Sequence, residues 1–115
     1  MGGIDLNYMF TTADGRIGRL TWWLGVAILY LAGLILYALF GGGGIVPFVL
    51  NILLLVAGLM LHIKRFHDRG KSGWWVLILF VPVIGVIWAI VDLGILQGDG
   101  GPNRFGELPP ERRTA

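Results

Sequence analysis

The stretch Lys64–Gly73, KRFHDRGKSG, holds more reactive side-chain types than any other part of the chain. His67 beside Asp68 has the composition of an acid–base pair. No Ser, Thr or Cys nucleophile is placed to use it, although Ser72 lies close. Gly70-Lys71-Ser72 resembles the end of a phosphate-binding loop, but Arg65 stands where that motif requires its first glycine. His62 and His67, five apart, fall on different helix faces, and no Cys, Asp or Glu cluster completes a metal sphere. Gly98-Asp99-Gly100 lacks the third glycine of a dinucleotide fingerprint, with Asn103 in its place. No catalytic, cofactor or metal residues are therefore assigned, and the chain does not read as an enzyme.

What remains in that stretch is charge. Asp68 lies among Arg65, Arg69 and Lys71, where a short carboxylate can lock a cationic loop by charge-assisted hydrogen bonds. Arg16 and Arg19, three apart, share a helix face. Together Arg16, Arg19, Arg65, Asp68, Arg69 and Lys71 form a candidate cradle for phosphate or a lipid headgroup, or a contact for a partner protein. The alternative is that these charges only fix topology.

The elements that position them are apolar. The 115 residues are 56% hydrophobic and 14% charged, against roughly 25% charged in soluble domains. From Leu20 to Ile63, and again from Ser72 to Val91, there is no Asp, Glu, Lys or Arg. A chain this short has too few polar residues to cover such stretches in water. Lipid must be the solvent. With no cysteine, disulfides and thiolate chemistry are absent. The sequence pI near 9.4 is explained by basic residues beside apolar spans, which suit anionic headgroups rather than nucleic acid.

The fold class is thus an all-α integral membrane protein with about three transmembrane helices, one domain over 1–115. Spans are expected at about 21–40, 45–63 and 74–96, followed by a flexible Gly/Pro-rich tail, 97–115. The first span, beginning only after Arg19 and lacking a small-x-small site, is not expected to be a cleaved signal. Gly41–Gly44 should turn the chain, and Pro47 falls in the first turn of span two, where a missing N–H costs little. Lys64–Gly73 is expected to be a loop. Pro82 should free the carbonyl of Ile78 and kink span three. Ser72 could cap that helix.

With three spans and a cytoplasmic N-terminus, Arg16, Arg19, Lys64, Arg65, Arg69 and Lys71 lie inside, against Arg104, Arg112 and Arg113 outside. Trp22-Trp23 and Trp74-Trp75 then mark the inner interface, and Tyr37, Phe40 and Trp88 the outer one. A second topology has residues 74–96 dip in and out, turning at Pro82–Gly85, which puts all nine basic residues on one side. Two polar residues bear on the spans. Asn51 suits an interhelical hydrogen bond, and Asp92, counted along a continuous helix, reaches the outer interface. A shift would make Asp92 an intramembrane acid. Gly85 and Ala89 allow close helix approach, within the chain or between copies.

Arg65-Phe66-His67-Asp68-Arg69-Gly70-Lys71-Ser72-Gly73-Trp74-Trp75 resembles the signature of a bacterial inner-membrane family, domain of unknown function 805. Gly15-Arg16-Ile17-Gly18-Arg19 with Trp22-Trp23, and Gly98–Gly106 with Pro109, resemble its N- and C-terminal elements in the same order. Phe66 stands where the family more usually has Leu. The resemblance implies an inner-membrane location and a topology class, and no reaction. Two functions remain open. One is a non-enzymatic module whose basic cytoplasmic loop meets anionic lipid or a membrane protein partner. The other is an oligomeric transport or channel subunit, which Pro82, Asn51 and Asp92 suggest.

Overall fold

The structure, a computed structural model, describes residues 6–109; Arg112 and Arg113 lie outside the described residues. A short helix α1 (Leu6–Thr11) precedes two long apolar helices, α2 (Arg19–Phe40) and α3 (Ile45–Asp68). The architecture is helical and, among the described residues, contains no strand. It comprises two long apolar helices and a shorter one, in the all-α class read from the sequence.

Helix α2 has no proline and ends at Gly41, whose φ of 70° favours glycine. At about 1.5 Å per residue its 22 residues extend about 33 Å, enough for the hydrocarbon core. Helix α3 runs back antiparallel, with Pro47 in its first turn as expected. The two helices approach closely at Gly25, where a Cβ would sit 2.5 Å from Leu61 Cδ1. Most of their remaining apolar surface faces outward: Tyr30, Leu31, Leu39, Ile45 and Phe48 are all exposed. That exposure suits lipid.

Helix α3 does not stop at Ile63. It continues through Lys64–Asp68 and ends at Arg69, before Gly70 at φ 77°. The expected loop therefore shrinks to the residues after Asp68. Nothing before Gly70 breaks a helix, and the polar side chains of the last turns point into the protein, where they find partners.

The third apolar stretch is not one kinked helix. A 3-10 arm, Gly73–Phe80, runs to a reversal at Val81–Val83. A second arm returns as α4 (Ile84–Trp88), continuing into a π-helix, Ala89–Ile95. The two arms lie side by side: the Trp75 and Trp88 rings stack at 5.6 Å. Trp88 thus sits beside the Trp74-Trp75 end, not at an outer belt. The carbonyl of Ile78 is not freed by Pro82 but accepts from Val81 N–H at 3.1 Å. Ser72 makes no capping bond through its side chain.

Gly85 permits the arms to close, because a Cβ there would meet the Leu79 and Ile78 carbonyl oxygens at 2.6 and 2.8 Å. The close approach expected of Gly85 is thus made within the chain. Backbone atoms cannot swing aside as a side-chain tip can. Gly85→Ala should force the arms apart and cost about 1–3 kcal/mol, the range for overpacking. A loss of Trp75–Trp88 stacking, read as altered near-UV circular dichroism, checks this; an unchanged spectrum and melting point would refute it.

Candidate functional site

The candidate residues meet at one end of the α2–α3 pair. Asp68 closes the last turn of α3, and its side chain is fully buried. Its Oδ1 accepts from Arg16 Nε at 3.0 Å and lies 2.9 Å from Arg16 Nη2; its Oδ2 accepts from Arg65 Nη1 at 2.5 Å. Arg16 and Arg65 are buried as completely as the carboxylate between them. Charges this deep persist only when paired and hydrogen-bonded.

Arg16 completes its bonding on the tail. Nη1 donates to the carbonyls of Gly101 at 2.7 Å and Gly106 at 3.2 Å, and Nη2 to that of Asp99 at 2.9 Å. All five guanidinium N–H groups can thus be occupied. Residues 97–109 are accordingly packed in place, not a loose tail. Asp99 N–H donates to the Asp68 carbonyl at 2.7 Å, Asn103 Nδ2 to the His67 carbonyl at 2.9 Å, and the Phe105 ring stacks on His67 at 4.0 Å.

A second set of bonds caps the π-helix. The last carbonyls of any helix lack partners within it. Here Leu93 O accepts from Arg65 Nε at 2.7 Å, Gly94 O from Trp23 Nε1 at 2.9 Å, and Ile95 O from Arg19 Nη1 at 3.0 Å. Leu96 O accepts from Arg65 Nη2 and Gln97 O from Arg69 Nη1, both at 2.7 Å. Five consecutive carbonyls are capped by side chains from α2, α3 and the residue following it. Three cations at a helix C-terminus also oppose its dipole.

Asp92 belongs to this end as well. Its Oδ1 takes Arg69 at 3.1 Å and Lys71 at 3.2 Å. The expected outer-interface position is corrected, because counting along a continuous helix fails once the segment folds back. Asn51 is remote: it lies near the opposite end of α3 and donates to the Pro47 carbonyl of its own helix at 2.8 Å, not across to another helix. Seventeen residues of α3 separate it from Asp68, about 26 Å. The two polar residues named for the spans therefore do not share a path.

The histidines are engaged separately. His62 Nδ1 accepts from Trp22 Nε1 at 2.9 Å, so its proton sits on Nε2. His67 Nδ1 lies 2.9 Å from the Gly15 carbonyl. Sequence reasoning missed Lys64 as a site residue. Its fully buried ammonium donates to the Thr12 carbonyl at 2.6 Å and to that of Tyr8, tying α1 to α3. It missed Asp99 and Asn103 too, although both stand in the C-terminal motif that carries the family resemblance.

Of the six residues of the expected cradle, Arg16, Arg65 and Asp68 are sealed inside. Arg19 is exposed, while Arg69 and Lys71 keep 20% and 23% side-chain exposure. Arg104, over the Phe105 ring at 4.7 Å, is exposed as well, and Trp74 is 79% exposed.

A family model described as Protein of unknown function (DUF805) matches residues 10–107. Inner membrane protein YhaH of Escherichia coli (strain K12) is 31% identical over 107 residues, covering 92% of this chain and 75% of the relative. Inner membrane protein YhaI of the same strain is 34% identical over 100 residues, covering 84% of each. Uncharacterized protein YiiR, also of that strain, is 27% identical over 121 residues, covering 81% of this chain and 82% of the relative. No solved structure matches the chain.

Proposed function

The chain belongs to the DUF805 family of proteins of unknown function, with inner-membrane relatives, and from that premise we propose a non-enzymatic membrane module that holds anionic lipid headgroups on its cytoplasmic face. The supporting observation is the division of its cations. Arg16, Lys64 and Arg65 are consumed inside the protein, whereas Arg19, Arg69, Lys71 and Arg104 remain at the rim. Asp92 offsets one of the two charges on Arg69 and Lys71, and Asp14, Asp99 and Glu107 add further negative charge, so the excess is modest: seven Lys and Arg against five Asp and Glu among the described residues leave this end at +2. Exposed Trp23, Trp74 and Trp75 flank it, as amphipathic rings do at headgroup depth.

The orientation follows the same charges. The described basic residues gather at the end of the α2–α3 pair where Arg16, Arg65 and Asp68 interlock, the knot end, and the Gly41–Gly44 turn at the other end carries none. Retention of Lys and Arg in the cytoplasm would leave the N-terminus inside.

Each rim cation should contribute about 1 kcal/mol toward an anionic surface. The test uses the purified chain in neutral detergent, titrated with phosphatidylglycerol or phosphatidylcholine and followed by its melting temperature. Phosphatidylglycerol should raise the melting point and phosphatidylcholine should not. Arg19→Gln with Arg104→Gln should weaken the apparent lipid affinity by a factor on the order of thirty. Equal response to the two lipids would refute the headgroup function.

A further inference from the structure

We propose that residues 73–96 enter and leave the membrane on the same face, so that the chain crosses the bilayer twice and both its N-terminal segment and its tail lie on the knot side. This goes beyond the headgroup function and does not depend on which face is cytoplasmic. Crossing would carry the end of the segment about 30 Å from its beginning. Instead, both ends are held by the same few residues. Lys71, two residues before the first arm, bonds Asp92 in the second at 3.2 Å. Arg65 holds the carbonyls of Leu93 and Leu96, and Asp68 O accepts from Asp99 N–H. Trp75 and Trp88, thirteen residues apart, would be separated by about 20 Å along one helix but stack at 5.6 Å.

Depth agrees with this. The eight residues of the 3-10 arm rise about 16 Å at roughly 2 Å each, half the hydrocarbon thickness. A reversal at such depth is tolerable only if its backbone is satisfied without water. At this one, Val81 N–H donates to Ile78 O, Ile84 N–H to Pro82 O, Gly85 N–H to Val81 O and Ile87 N–H to Val83 O. Pro82 has no N–H to satisfy. The side chains of the tip, Phe80, Val81, Val83 and Ile84, are apolar and exposed. The arrangement is that of a hairpin whose tip rests in hydrocarbon.

The chain has no cysteine, so single cysteines can report sidedness. Gly43 and Gly100 are suitable because a Cβ at either meets nothing within 4 Å. Gly43→Cys and Gly100→Cys, treated with an impermeant maleimide in spheroplasts and in inverted vesicles, should label from opposite faces. Labelling from the same face overturns the proposal. Opposite faces with Gly43 cytoplasmic would uphold it while reversing the orientation given under the proposed function. On the unsubstituted chain, epitope tags before Met1 and after Ala115 should be removed by protease from the same face; removal from opposite faces overturns the proposal without any substitution in the fold.

Discussion

Asp68→Asn should destabilise the folded chain by about 3–5 kcal/mol, the usual consequence of removing one partner from a buried ion pair. The substitution is nearly isosteric, so packing is not the cause. What changes is that two fully buried guanidinium groups, Arg16 and Arg65, lose the carboxylate placed between them. Neither can reach water by a small movement, because Arg16 is also bound to three tail carbonyls and Arg65 to two carbonyls of the hairpin. An arginine does not shed its proton to relieve the strain. Thermal melting in detergent, followed by size exclusion, should show the variant aggregating at temperatures where the parent is intact. The partner variant Arg16→Gln should cost a similar amount. The double variant should cost much less than the sum of the two, because the coupling can be lost only once. Additive losses, or a single variant within about 0.5 kcal/mol of the parent, would show that the network is not what holds this end together.

The long helices were legible because their signals are local. Charge-free stretches, Gly41–Gly44 and an N-terminal Pro47 each act within a few residues. The use made of the arginines was not. Arg19, Arg65 and Arg69 have the composition of a headgroup patch, and equally that of C-caps for a helix that ends nearby. Which one applies depends on where Leu93–Gln97 come to rest, a contact formed across 28 or more residues. The placement of Asp92 failed for the same reason. Counting 1.5 Å per residue assumes a continuous helix, whereas the backbone reverses at Val83, a β-branched residue at φ 67° that local propensity disfavours. The turn signal Pro82–Gly85 was present in the sequence, but it suits a kink and a reversal alike. Only the long-range bonds separate the two.

The tail offers the sharper test of how the knot closes, at Gly98. A Cβ on this residue would lie 1.9 Å from Asp68 Oδ2 and 2.7 Å from the Asp68 carbonyl oxygen. The carboxylate is pinned by two arginines and the carbonyl belongs to the end of α3, so neither can yield. Gly98→Ala should therefore lift residues 98–109 off the helices. Arg16 would then lose its bonds to Asp99, Gly101 and Gly106. Hydrogen bonds to a charged group contribute about 1.5–3 kcal/mol each, and water regained by the tail would offset much of that, leaving a net loss of about 3 kcal/mol. Because α2 and α3 can stay paired through Gly25 and Leu61, the variant should remain in the membrane while the backbone around Arg104, whose side chain is exposed in the parent too, is released and cut by trypsin faster than in the parent. Gly100→Ala is the control, since nothing lies within 4 Å of its Cβ. If both variants resist trypsin equally, the tail does not depend on contact with Asp68, and Arg16 must hold it through its carbonyls alone.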